Sequence, residues 1–244
     1  MTQGSSRRQF WHWFCIALLA LMLLIFLKNA WVCDDAYINF RSLEQLYAGN
    51  GPNWNPHERV QGYTSPLWYW LLALTRAGST DHFFNAFLLS LVLFLLLGVV
   101  LQKYFANGAV LAILLLLATG SNAFFDFTTS GLENILCYFL LSLAMLSGFS
   151  AIKKSDDEAL ALGKYRHSLL AFSLVAVCRH DLLPLAIIPG LALIYSCRGR
   201  FSRSVWADTG LMLLPLAAWS AFSLLYYGAL FPNTAYAKLF TGIN

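Results

Sequence analysis

The sequence predicts an all-α membrane protein, a polytopic helical bundle of about seven transmembrane spans with interfacial helices in its first long loop. Three observations carry this expectation. Of the 244 residues, 59% are hydrophobic and only 11% charged, against roughly 25% charged in a soluble domain. The apolar residues are gathered into long runs rather than spread over amphipathic faces. The basic residues sit in short clusters between those runs, a pattern that orients a chain in a bilayer. The net charge of +4 is therefore not a nucleic-acid patch, and no nucleic-acid partner is expected.

The first run, Phe10 to Leu27, holds no charged residue and is long enough to cross a hydrocarbon layer of about 30 Å. Arg7 and Arg8 precede it as they would in a signal peptide. Trp31 and two aspartates stand where a small-residue cleavage site would be, so a retained anchor is expected. A loop from 28 to 82 follows. Within it Tyr37, Phe40, Leu43 and Tyr47 recur at spacings of three and four, which predicts an amphipathic surface helix over 36–48. The segment from Pro66 to Ala77 offers about 18 Å of helix, too short to cross, and is placed at the interface. The later runs are Phe83–Leu101, Ala109–Phe125, Ile135–Phe149, Leu169–Cys178, Leu182–Tyr195 and Val205–Tyr227.

With the short segment at the interface, Arg7 and Arg8, Lys103, the Lys153/Lys154/Lys164/Arg166 group and Arg198/Arg200/Arg203 all fall on the cytoplasmic side, with the N-terminus. Counting it as a span sends Lys153, Lys154 and the arginine triplet outside. The two short runs flanking "VCRHDLLP" read either as a broken helix pair or as one tilted span over 169–195. The stretch "AIKKSDDEALALGKYRHS" reads as a solvated connector. The five cysteines show no CxxC pair and no zinc-like spacing, so they imply neither a disulfide framework nor a metal site.

This topology puts "CDDAYINF", "WNPHERVQGYTSP", "FDFTTSGLEN", "CRHDLLP" and "FPNTAYAK" on one outer face, which predicts a single cavity there. Asp34 or Asp35 is suited to cap the surface helix, and capping needs one acid. The other is left at a membrane boundary, where a carboxylate needs a partner or a task such as proton abstraction. Glu133 opens the span after "SGLEN" and reads as a cap or as a second catalytic acid. Arg179, His180 and Asp181 read as a local ion pair ending a helix, or as an anion site in which Arg179 grips phosphate. Trp54 and Tyr63 are belt aromatics or sugar-stacking faces, and Asn233 and Lys238 stand beside a second phosphate contact or a snorkelling lysine. There is no Gly-rich phosphate loop, HExxH, GxSxG or nucleotide fold. An enzyme built this way would take an activated substrate delivered in the lipid.

Taken in order, "DDAYINFRSLEQLYAGNGPNWNPHERVQGYTSPLW", "SGLEN", "CRHD" and "YYGALFPNTAYAK" resemble the bacterial GT-C membrane glycosyltransferases, in particular the arabinofuranosyltransferase-like group that modifies mycobacterial cell walls and pilins. The resemblance implies one GT-C-like transmembrane domain over 1–244, in the bacterial inner membrane with its active face periplasmic. It also implies a polyprenyl-phosphate-linked sugar donor, such as an arabinofuranose, and a glycan or pilin-like protein acceptor. The family's acidic pair matches Asp34 and Asp35, its later acid matches Glu133, and its Arg-Pro-acid-Gly element matches Arg179 and Asp181. Here His180 stands in place of the proline and Leu182 in place of the glycine. The C-terminal part of the family architecture does not appear in this sequence, so the chain reads as an N-terminal fragment.

The expected reaction is an inverting transfer in which Asp34 or Asp35 deprotonates the acceptor hydroxyl while Arg179 and Lys238 steady the leaving phosphate. No cofactor is required. A divalent cation at the aspartates is compatible with the sequence but not called for by it. A lipid-linked sugar carrier or flippase, and a GT-C hexosyl (mannosyl) transferase, are the alternative readings.

Overall fold

The computed structural model describes residues 3–153, 157–200 and 205–240, and among them the chain is an all-α polytopic membrane protein. Among the described residues, five helical segments are long and apolar enough to cross a bilayer: Ser6–Lys28, His82–Tyr104, Asn134–Ile152, His180–Cys197 and Trp206–Tyr227. The bent pair Gly108–Thr119 and Asn122–Thr129 makes a sixth when taken as one span.

Helix α1 (Gln3–Lys28) carries no charged residue from Phe10 to Leu27, and Cys15, Leu18, Met22 and Phe26, spaced at three and four, form its buried stripe. Phe26 packs on Phe87 and Phe94 of α4 (His82–Tyr104), with ring centroids 5.3 and 5.1 Å apart. Between these spans lie α2 (Ala36–Tyr47) and α3 (Pro66–Thr75). Arg76 and His82, at either end of the link from α3 to α4, both pair with Glu44 of α2. Both ends of that link therefore sit against α2, and α3, with 10 residues, is too short to be a candidate span.

The run expected over 109–125 is not one straight span. It divides into α5 (Gly108–Thr119) and α6 (Asn122–Thr129), which meet at 75°. Gly120 ends α5, and the Ser121 hydroxyl accepts the Phe124 N–H at 3.2 Å, which starts a new helix instead of extending the old one. α7 (Asn134–Ile152) and α8 (Glu158–Cys178) form the principal helix pair. Ser168 donates to the Ala144 carbonyl at 2.7 Å where Gly148 lets the two backbones approach.

The connector expected at 151–168 is in large part helix. Its second half is the first half of α8, started by Asp157 accepting the Leu160 N–H at 2.9 Å. Polarity misled the sequence reading there, because Ala161, Tyr165 and Ser168 are buried between the charges. The short run 169–178 thus belongs to a helix of 21 residues, about 31 Å long. "CRHD" is the hairpin between two antiparallel helices, α8 and α9 (Leu183–Cys197), joined by a 3₁₀ turn at His180–Leu182. A single tilted span is excluded. The last run is α10 (Val205–Met212) and α11 (Leu214–Tyr227), parted where Pro215 begins α11, and α12 (Asn233–Phe240) follows.

The helices alternate in direction. Arg7 and Arg8 line one cleft with Gln102 and Asn107, and Arg200 donates to the carbonyls of Ala151 and Lys153, at the end of the bundle where α4 and α7 finish. The opposite end carries α2, α3, α6, the "CRHD" hairpin and α12.

Candidate active site

The site begins with a glycine. Gly131 turns the chain from α6 into α7 at φ +80, and a Cβ there would lie 3.3 Å from that of Ala36. The Cys33 N–H donates to the Ser130 carbonyl at 3.0 Å, and the fully buried Trp68 indole donates to the Gly131 carbonyl at 3.1 Å. The first turn of α2 is thereby laid across "SGLEN". Asp35 and Glu133, far apart in sequence, come to line one cavity of about 590 Å³ with Arg179, His180, Asp181, Tyr63 and the start of α12.

The two aspartates part company here. Asp35 occupies the position before α2, but neither carboxylate caps the helix by a side-chain bond to its N2 or N3 amide. The first amides of α2 are satisfied instead by a tight turn, with Ala36, Tyr37 and Ile38 N–H donating to the carbonyls of Cys33, Asp34 and Asp35 at 3.2, 3.0 and 3.2 Å. Asp34 accepts the Asp35 N–H at 3.0 Å and does not line the cavity. Asp35 does line it, and among the described residues its carboxylate has no hydrogen bond or ion pair.

Glu133 stands before α7 without capping it, 6% exposed. Burial raises its pKa above the usual carboxylate value, against the opposing pull of a backbone amide, Ser65 and Arg179. Arg179, in extended backbone after α8, places Nη1 3.7 Å from Glu133 and 3.2 Å from the Asn134 side-chain oxygen. Its Nε and Nη2 donate to the two oxygens of Asp181 at 3.0 and 2.6 Å. The bidentate fork that the sequence offered to phosphate is thus filled by Asp181 of the same turn. The hydrogen bonds to Asp181 hold Arg179 firmly protonated. With Asp35, Glu133 and Asp181 against Arg179, the carboxylates outnumber the cation among the described lining residues.

Tyr63 lines the cavity from a fixed position. Its ring stacks on Tyr69 with centroids 4.0 Å apart, and its hydroxyl donates to Tyr227, which donates in turn to the Pro52 carbonyl at 2.6 Å. Trp54, expected to face substrate, lies off the cavity. Arg41 covers its ring 4.5 Å from the centroid and Gly62 lies close against the indole, so the indole packs the loop onto α2. Asn233 is exposed and outside the lining, whereas its neighbours Pro232 and Thr234 are part of it. The Lys238 side chain lies outside the described residues. No group of three or more His, Cys, Asp and Glu among the described residues is arranged to hold a metal.

Sequence reasoning missed Asn39, Ile38 and Thr234. Ile38 and Asn39 follow Asp35 by three and four residues, the spacing that shares a helix face, so their place in the cavity was readable once Asp35 was singled out. Thr234 left no such signal, because only the docking of α12 brings it in.

No family model and no solved structure matches the chain. It is 32% identical over 231 residues, 86% of its length, to a terminal beta-(1->2)-arabinofuranosyltransferase of Mycobacterium tuberculosis. It is 30% identical over 234 residues, 85% of its length, to a terminal beta-(1->2)-arabinofuranosyltransferase of Corynebacterium glutamicum. It spans 35% and 33% of those two proteins. Over most of its own length, and about a third of theirs, the chain is similar in sequence to these two arabinofuranosyltransferases.

Proposed function

We propose that the cavity is the transfer site of a membrane glycosyltransferase, which moves a sugar, arabinofuranose by likeness to its relatives, from a polyprenyl-phosphate donor to a glycan acceptor. The observation that carries the reading is the Asp35 carboxylate, unpartnered among the described residues, sharing one cavity with buried Glu133 and with Arg179. In the reaction, Asp35 takes the proton of an acceptor hydroxyl as its oxygen bonds to the anomeric carbon. The bond from that carbon to the phosphate oxygen breaks, and the lipid phosphate leaves with the electron pair. Three of the five Arg179 N–H groups are engaged by Asp181 and Asn134, and the other two remain for the phosphate. The cavity end is assigned to the periplasmic side of the inner membrane, with the N-terminus cytoplasmic, because the basic clusters collect at the other end.

The test is transfer from a labelled polyprenyl-phosphoryl arabinofuranose to a synthetic arabinoside, with the chain in lipid nanodiscs. Asp35→Asn is expected to lower the rate by roughly 10²–10⁴-fold, and Asp34→Asn to leave most of it. Full transfer by Asp35→Asn at normal protein level would sink the assignment. A donor bound and translocated but never cleaved would point to a carrier.

A further inference from the structure

We infer that Asn39, Thr234 and His180 form a hydroxyl-binding subsite that holds the sugar ring beside Asp35. This rests on reading the cavity as a transfer site, and adds to it the residues that would recognise the sugar.

Buried polar atoms without a protein hydrogen-bond partner are few in folded chains, and each calls for an explanation. Here Asn39 Oδ1, His180 Nδ1 and Thr234 Oγ1 are three such atoms among the described residues, and all three residues line this one cavity. They come from α2, the 3₁₀ turn and α12, so no local backbone pattern accounts for their coincidence. Asn39 is only 4% exposed.

The chemistry narrows the ligand. A hydroxyl both donates and accepts, so it satisfies the Asn39 amide in either orientation, the Thr234 hydroxyl, and His180 in either neutral tautomer. A phosphate oxygen only accepts, and this wall already presents acceptors in Asp35, Glu133 and Asn39 Oδ1. Ile38, Leu132 and Phe231 add apolar faces between the polar groups, as the alternating C–H and O–H surface of a sugar requires. Asn39 follows Asp35 by one helical turn, so their Cβ atoms stand about 5–6 Å apart. A ring hydroxyl held by Asn39 leaves the remainder of a five-membered ring within reach of Asp35.

The test uses Asn39→Leu and Thr234→Val in the whole chain in nanodiscs, with Asn39→Asp as the variant that keeps an acceptor oxygen. Transfer is measured with the arabinofuranosyl donor and with analogues each lacking one hydroxyl. Binding of methyl β-arabinofuranoside is followed separately by saturation-transfer NMR, with inorganic phosphate as the comparison ligand. Asn39→Leu is expected to lower kcat/KM by about 10–100-fold for the full donor, the size of one hydrogen bond made in a buried site. For one deoxy analogue it is expected to match the wild type, while Asp35→Asn is impaired with all of them. Asn39→Asp is expected to recover part of the loss, and Thr234→Val to weaken glycoside binding without abolishing it.

Wild-type transfer and glycoside binding by both Asn39→Leu and Thr234→Val would overturn the subsite and leave the transfer reading standing. So would a loss that is equal for every analogue, which marks a structural role. Asn39-dependent glycoside binding by a wild-type chain that transfers nothing would uphold the subsite and overturn the transfer. Absence of both overturns both.

Discussion

Replacing Arg179 by methionine removes the cation that faces Glu133, and the structure sets the size of the loss. Glu133 has 8% of its side chain exposed and Asp181 has 60%, so only Glu133 is left as a buried charge without a counter-ion. Breaking a buried pair from one side costs about 3–5 kcal/mol, whereas the exposed Asp181 keeps its water and adds little. At 2–4 °C per kcal/mol for a chain of this size, the midpoint should fall by roughly 6–20 °C. The effect must depend on pH in a defined sense. Burial raises the Glu133 pKa in the folded chain, so between the unfolded and folded values the native state holds a proton that the unfolded chain has released. Stability from this group is therefore present below the unfolded carboxylate pKa of about 4.3 and lost as pH rises through the folded value. Removing Arg179 raises the folded value further. Thermal unfolding of Arg179→Met in detergent should show a small loss near pH 4 and the full loss near pH 8, and adding Glu133→Gln should restore most of it. A loss that is the same at both pH values, or no rescue by Glu133→Gln, would refute the pairing argument.

Other outcomes follow from the same geometry. Gly131→Ala forces a side chain into left-handed backbone and against Ala36, and is expected to cost about 1–3 kcal/mol in unfolding measurements and to shift Asp35 from its place. Tyr227→Phe strands both the Tyr63 hydroxyl proton and the Pro52 carbonyl and should cost about 1–3 kcal/mol, more than Tyr63→Phe at about 0.5–1.5 kcal/mol. Burial pushes the Tyr63 hydroxyl far above the ordinary tyrosine value, so spectrophotometric titration to about pH 11 should count the same number of ionising tyrosines in wild type and Tyr63→Phe. Trp54→Ala should lower the unfolding midpoint while leaving KM near wild type, because its ring packs against Gly62 and under Arg41; a KM rise without loss of stability would return Trp54 to the site.

Much of the architecture was legible because apolar run length and charge placement act locally. α2 spans 36–47 against an expected 36–48, and α3, expected to be too short to cross, is 10 residues long. The break at "CRHD" was visible as charge between apolar runs, since such groups sit where helices end. The failures have equally local causes. α5 and α6 divide because Ser121 caps a new helix inside an apolar stretch, a signal weaker than hydropathy. The polar half of α8 escaped because a helix whose buried face is Ala161, Tyr165 and Ser168 reads, residue by residue, like a loop.

For the site, the sequence by itself singled out most of the polar residues that line the cavity: Asp35, Glu133, Arg179, His180, Asp181 and Tyr63. The tertiary structure alone decided which partners each finds and which of them face the cavity. It left Asp35 open to the cavity and tied Asp34 into the turn, because the α2 amides find backbone carbonyls and need no carboxylate. It gave the Arg179 fork to Asp181 and Trp54 to Arg41, and it admitted Asn39 and Thr234. Residue type and spacing fix which groups stand near a helix end, but hydrogen-bond partners belong to whichever donors and acceptors packing brings within about 3 Å, and that is set by contacts between segments far apart in the chain.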